Sequence, residues 1–353
     1  MIMFNCDYLE GVHEKILQRL AETNLVQQPG YGEDAYCAHA RELIRGQAED
    51  EAAEVEFLAG GTQTNLIVLS AMLKPFEGVI AAETGHIAVH ETGAIEATGH
   101  KVLTVPQKDG KLTAAQVEAL VTAHASDETR EHMVRPQAVY ISYATEEGTL
   151  YTKAELTELY RICQKYGLFL FLDGARLGYG LMSEASDLSI ADIYRNTDVF
   201  YIGGTKQGAL LGEAVVFQNH KLHEDFRYLI KQKGGMMAKG RILGIQFETL
   251  FEKPAKAGVD CLYFELAAHA DRLAMKLKQG FAALGCPFDQ ESFTNQQFPI
   301  LPDAVLQKLS EKYTYGYWRR VDEAHSAVRF CTSWATKEES VDALLADLGT
   351  LMK

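Results

Sequence analysis

Leu168-Phe169-Leu170-Phe171-Leu172-Asp173-Gly174-Ala175-Arg176 is the stretch that decides the fold. Its apolar run is too short for a helix and suits a strand buried on both faces, as in parallel sheets covered by helices. The same construction returns in Val199-Phe200-Tyr201-Ile202-Gly203-Gly204-Thr205-Lys206. Each strand delivers one ionisable group, Asp173 or Lys206, at its C-terminal end, where open α/β sheets place their ligands.

Outward from these two, short apolar runs at Val55–Leu58, Val79–Ala82, Val102–Val105, Ala138–Ser142 and Ala214–Phe217 read as further buried strands. Amphipathic helices lie between them. Thr113-Ala114-Ala115-Gln116 and Thr152-Lys153-Ala154-Glu155 are capping boxes, and Gly167 stops the second helix. A third box, Thr336-Lys337-Glu338-Glu339, is expected to open the last helix. Strands alternating with helices predict an α/β fold with a mostly parallel seven-stranded sheet and helices on both faces. Near residue 245 the alternation weakens. The expected division is an N-terminal helix and arm over 1–34, a large domain over 35–245, and a smaller C-terminal α+β domain over 246–353.

The composition narrows the function. The 353 residues carry a net charge of −14, which argues against nucleic acid and anionic membrane as partners, since phosphate binding needs a basic patch. Six scattered cysteines show no C-x-x-C spacing, so neither a zinc ribbon nor a disulfide framework is indicated. The start lacks a basic region followed by an apolar stretch, and no apolar run is long enough to span a bilayer. A cytoplasmic location is expected.

Lys206 is held at a strand mouth by glycines, with no aliphatic surface to lie along, and looks built to react. An electron-sink cofactor such as pyridoxal phosphate needs a lysine for its Schiff base and an acid to keep its pyridine nitrogen protonated. Lys206 and Asp173 supply both. Ala59-Gly60-Gly61-Thr62-Gln63-Thr64-Asn65 lies between a strand and a helix, where glycines, the helix N-terminus and the Thr62 hydroxyl suit a phosphate. It is neither G-x-G-x-x-G nor a Walker loop, which weakens nicotinamide and ATP readings. His86 follows another strand and can stack on a flat cofactor or move protons. His86 and His90 are four apart, but the order H-x-x-x-H-E lacks a third ligand, so no metal is expected.

Gly-Thr before a helix, His after the next strand, Asp-Gly-Ala-Arg and a strand ending in Lys, in that order, resemble the threonine aldolase and β-eliminating lyase family of fold-type I pyridoxal-phosphate enzymes. The resemblance runs over nearly the whole chain, from Tyr31-Gly32-Glu33-Asp34 to Val328-Arg329-Phe330. It implies that Lys206 forms the Schiff base, Asp173 pairs with the pyridine nitrogen, and His86 stacks on the ring. Gly61, Thr62 and Thr205 are implied around the phosphate, and Arg176 and Arg329 around the substrate carboxylate. Tyr31 is implied in the active site of a neighbouring subunit, which requires a homodimer at least, with a homotetramer as the family's common form.

The implied reaction cleaves the Cα–Cβ bond of a β-hydroxy amino acid, giving glycine and an aldehyde from threonine or allo-threonine. The chain departs from the family in three places. Tyr143-Ala144-Thr145-Glu146-Glu147-Gly148-Thr149 lacks the second histidine often found after the fourth strand. Glu146 and Glu147 read there as ordinary solvated carboxylates, with a role as base the alternative. Met237 stands where a phosphate-binding arginine is common, with Lys239 or Arg241 as substitutes, and Cys6 replaces a serine at the substrate end. β-Elimination or racemisation on the same scaffold therefore stays open. So does a nucleotide-binding α/β protein in which Lys206 is structural.

Overall fold

The computed structural model describes residues 1–253 and 260–352. Seven strands build the main sheet: β1 (Glu54–Leu58), β2 (Glu77–Ala82), β3 (Lys101–Val105), β4 (Arg135–Ser142), β5 (Phe169–Asp173), β6 (Val199–Gly203) and β7 (Glu213–Phe217). Their order across the sheet is β1-β7-β6-β5-β4-β2-β3. All run parallel except β7, which is antiparallel to β6 and β1. The link from Gly203 to Glu213 is shorter than the dozen or so residues a parallel crossover needs, so the chain turns straight back. Glu213, the first residue of β7, consequently pairs with Gly203 and Leu58 at the edge where the other strands end.

Alternate residues feed a core on each face. Leu170, Leu172, Phe200 and Ile202 pack on one side, and Phe171, Val199 and Tyr201 on the other. Each fully buried Leu, Ile or Phe contributes roughly 1.5–3 kcal/mol. The capping boxes at Thr113 and Thr152 both form, and Gly167 closes its helix at φ 65°. The Thr336 box does not. The last helix starts at Glu338 without a side-chain cap, because the Thr336 hydroxyl instead accepts the Ser333 N–H at 2.8 Å.

The C-terminal part carries an antiparallel sheet of β8 (Phe288–Gln290), β9 (Gln296–Pro302), β10 (Gly316–Arg320) and β11 (His325–Cys331), in the order β10-β11-β9-β8. Helices Leu262–Ala283 and Glu338–Leu351 cover it through Leu273, Leu277, Phe281, Val341, Leu344 and Leu348. Two features cut across the expected divisions. Helix Arg241–Phe251 runs unbroken through position 245, and its Phe247, Leu250 and Phe251 belong to the main core. Ile2–Met3 pairs with Tyr313–Thr314, and Phe4 packs into the C-terminal cluster, so the first residues are tied down rather than part of an arm. Strand alternation stops near residue 245 while the core it serves continues. Among the described residues, no helix is long and apolar enough to cross a membrane.

Candidate active site

A cavity of about 320 Å³ opens at the C-terminal edge of the main sheet. Its wall takes Gly60, Gly61 and Thr62 from the turn after β1, His86 from the helix after β2, and Ser142 and Glu146 from the end of β4 and beyond. Asp173 and Arg176 come from the end of β5, Thr205 and Lys206 from the turn after β6, and Glu213 from the start of β7. Most of the expected site residues thus share one hollow.

Asp173 lies at its buried base. Oδ1 accepts from the Tyr201 hydroxyl at 2.5 Å and the Ala175 N–H at 3.0 Å, and Oδ2 from the Tyr140 hydroxyl at 2.6 Å and Asn65 Nδ2 at 3.0 Å. Burial pushes the carboxyl up, but His86 and these hydrogen bonds win and hold it below its ordinary range. His86 Nδ1 lies 2.7 Å from Oε1 of buried Glu91, which also accepts from Asn65 at 2.7 Å. Burial opposes charge on His86, and the Glu91 hydrogen bond with the Asp173 carboxylate reverses that and raises its pKa. Lys206 is lowered, first by burial and then by the Arg176 charge. An ionised acid and an amine eased towards neutrality therefore face one hollow.

Arg176 is already engaged. Its Nε and Nη2 donate to Asp7 Oδ2 and Oδ1 at 2.7 and 3.0 Å, and Asn295 Nδ2 adds a 2.9 Å bond to Asp7. A guanidinium this enclosed needs a counter-charge. Burial alone would raise the Asp7 carboxyl, yet Arg176 and Lys206 hold it well below the usual range. The bidentate face of Arg176 thus belongs to Asp7, leaving Nη1 outside that pair.

Three expected residues do not line the cavity. Arg329 donates to Gln296 Oε1 and to the Asn5 carbonyl, both at 3.2 Å, and its buried Nε meets no acceptor among the described residues. Cys6 is buried, and Tyr8 takes the lining position, its ring centroid 5.9 Å from Lys206 Nζ. Tyr31 is 47% exposed with φ 61°, in a different hollow with Arg227 and Met236. Arg241 is bound to the carbonyls of Thr23, Asn24 and Val26, where it anchors the loop before Tyr31.

The reading of Glu146 and Glu147 as solvated carboxylates is overturned. Glu147 is buried, accepts from Gln107 at 3.0 Å, and is raised to about 7 by burial and by Asp109 and Glu146. Glu146 faces the cavity itself. Glu213 accepts from the Thr205 hydroxyl at 3.0 Å and the Gly204 N–H at 3.2 Å, and burial raises it to about 8. Sequence reasoning missed Tyr8, Asn65, Glu91, Tyr140, Tyr201 and Glu213. Tyr140 and Tyr201 pass for core residues inside apolar strands. Glu213, a lone charge opening the run Ala214–Phe217, carried a signal that went unused.

An open, mostly parallel sheet with a lysine, a carboxylate and a glycine turn converging at one edge defines a fold-type I architecture. Residues 7–304 match the Beta-eliminating lyase family, and the chain belongs to that family. It is 31% identical to a low specificity L-threonine aldolase of Pseudomonas sp. (strain NCIMB 10558), over 99% of this chain and 97% of the relative. A protein of the same description from Pseudomonas aeruginosa is 30% identical with the same coverage. Among solved structures, a Leishmania major threonine aldolase superposes with a TM-score of 0.95 at 46% identity, covering all of both chains. A Thermus thermophilus aspartate aminotransferase, 16% identical over 99% of this chain and 91% of that one, has a TM-score of 0.73 and shares the fold alone.

Proposed function

We propose that the chain is a pyridoxal-phosphate-dependent lyase that cleaves the Cα–Cβ bond of a β-hydroxy amino acid, converting L-threonine or L-allo-threonine to glycine and acetaldehyde. The observation that carries this is the convergence of Asp173 and Lys206 on one cavity beside the Gly60–Thr62 turn. The donor set fits the cofactor. Lys206 would hold it covalently, Asp173 would face its pyridine nitrogen, and His86, oriented by Glu91, would lie against its ring. Gly61, Thr62 and Thr205 would serve its phosphate, and an added Cβ at Gly60 would meet nothing within 4 Å, so that turn is open. When bound, pyridoxal phosphate supplies a sink for the electron pair released at Cα. Arg176 keeps Nη1 for the substrate carboxylate, while Asp7 fixes the plane of its guanidinium. Arg329 stands as a second carboxylate ligand only if it leaves Gln296 and Asn5.

The test is an amino-acid panel scored for glycine, aldehyde, ammonia and racemised product. Glycine and acetaldehyde from threonine support the reading. Ammonia and a keto acid without glycine replace it with β-elimination, and racemised substrate replaces it with racemisation. Failure to take up a yellow, borohydride-sensitive cofactor returns the nucleotide-binding alternative.

The same reading keeps two units and moves their seam to helix Leu262–Ala283. Its first turns, with Leu262, Tyr263 and Leu266, pack on the main core, and its later turns pack on the small sheet. It also takes the protein as a cytoplasmic homodimer at least, assembled into a homotetramer. Support comes from Tyr31 and Leu25, 47% and 91% exposed and neither lining the chain's own cavity. Mixing Lys206→Ala with Tyr31→Ala protein under subunit exchange should restore activity if sites are shared. No recovery despite exchange, from an inactive Tyr31→Ala parent, would mean that each chain builds its site alone.

A further inference from the structure

Glu146 sits in the loop after β4 and lines the cavity with Asp173, Lys206 and Thr62. One of its oxygens is fixed. Oε1 accepts the His86 N–H at 2.9 Å and the Ser142 hydroxyl at 2.8 Å. Oε2 takes no hydrogen bond from any other described residue, and it is not one of the enclosed orphan atoms. A carboxylate anchored through one oxygen and open through the other has the form of a positioned proton acceptor.

The other carboxylates in the wall are occupied. Asp173 accepts on both oxygens from four donors. Glu213 spends one oxygen on Thr205 and the other on Gly204. His86 has Nδ1 on Glu91 and is biased towards its charged form, which has no lone pair to offer. Around Glu146 stand Asp173, Glu147, His86, Arg176 and Tyr140. Burial is the largest influence on its carboxyl, Asp173 adds to it, and together they outweigh the Ser142 hydrogen bond, the residue's own backbone N–H and His86, so its pKa is raised. A raised carboxylate is a stronger base than a solvated one.

We propose that Glu146 is the catalytic base that takes the proton of the substrate's β-hydroxyl. The proposal rests on the aldolase reading above. The O–H bond breaks, its proton passes to Oε2, and the released oxygen pair forms the aldehyde C=O. The Cα–Cβ pair stays at Cα, and a proton returned there completes glycine. Atoms and charge balance with no further reactant.

The test separates steps that need this base from steps that do not. Wild type, Glu146→Gln and Glu146→Asp holoenzymes are compared by threonine cleavage, by exchange of the glycine Cα–H in D₂O, and by cofactor absorbance. Glycine has no β-hydroxyl, so its exchange uses the cofactor site without the proposed base. The Gln variant is expected to lose roughly 10²–10⁴-fold in kcat/KM for threonine while its glycine exchange and cofactor spectrum stay near wild type. The Asp variant should recover part of the cleavage. Wild-type cleavage by the Gln variant overturns the proposal. So does an equal fall of cleavage and exchange, which would make Glu146 a support for His86 only. If the Gln variant fails to fold, the Asp variant decides: a cleavage-to-exchange ratio below wild type supports the base, and an unchanged ratio overturns it. A wild-type enzyme that exchanges glycine but cleaves no β-hydroxy amino acid removes the aldolase reading and this proposal with it, an outcome distinct from failure of the variants alone.

Discussion

The two ends of the cavity hold their charges in different ways. At the end proposed for the cofactor, Asp173 takes its donors from Tyr140 on β4, Tyr201 on β6, Asn65 on the helix after β1, and the backbone at Ala175. All belong to the main sheet and the elements packed on it. At the end proposed for the substrate, Arg176 is held by Asp7, which is held in turn by Asn295 from the C-terminal part. That end is assembled from three distant stretches of chain. One charge is built into the main sheet, and the other is held by contacts from distant parts of the chain. Substitutions at the first should strike chemistry, and substitutions at the second should strike stability as well.

The largest effect belongs to Lys206. Lys206→Ala should abolish both the yellow colour and turnover while the protein stays folded, since removing a buried amine relieves a desolvation cost. Protein that keeps covalently bound cofactor would break the assignment. Asp173→Asn should still bind cofactor and lose roughly 10²–10³-fold in kcat, the scale of removing one fixed electrostatic partner. Unchanged turnover would place the essential acid elsewhere and dissolve the contrast between the two ends.

Asp7→Asn sharpens the other side. It leaves the Arg176 guanidinium enclosed without its counter-charge, and breaking such a pair costs about 3–5 kcal/mol. Urea unfolding should register that loss together with a raised KM. The sign with pH follows from the depressed Asp7 carboxyl. Its contribution is fully present above the ordinary value of 3.8 and is lost as pH falls towards the lower folded value, so the two proteins should converge in acid. A variant as stable as wild type at neutral pH would show that the seam is held by other contacts.

This contrast also explains what the sequence made legible. Strand ends advertise themselves, because an apolar run that stops at a charge is visible in one dimension. Asp173, Lys206, His86 and the Gly61-Thr62 turn were found that way, and all line the cavity. Partners that converge from afar leave no such mark. Asp7 is one acidic residue near the chain start, and Asn295 lies 288 positions away from it. Tyr140 and Tyr201 occupy strand positions where a phenylalanine would look the same, and only the fold turns their hydroxyls onto Asp173. Glu146 was misread for the reverse reason, since a Glu-Glu-Gly loop looks solvated until the end of β4 and His86 enclose it.

Glu213 gives the smallest effect and the finest test of the cofactor end. Burial raises its carboxyl from an ordinary 4.5 to about 8, against the pull of Thr205 and Lys206. The folded chain therefore holds a proton at Glu213 over a range in which the unfolded chain has released it. Stability must then fall as pH rises between those two values, by at most about 1.4 kcal/mol per pH unit from this group. Glu213→Gln keeps the shape and removes the titration, so cofactor-free variant protein should lose less stability than wild type between about pH 5 and pH 8. Glu147, raised to about 7, acts with the same sign but is present in both proteins and cancels in the comparison. Equal slopes would mean that folded Glu213 is ionised throughout, paired with Lys206. The lysine would then sit beside a formal negative charge, and burial and Arg176 would have to ease its amine towards neutrality against that pull.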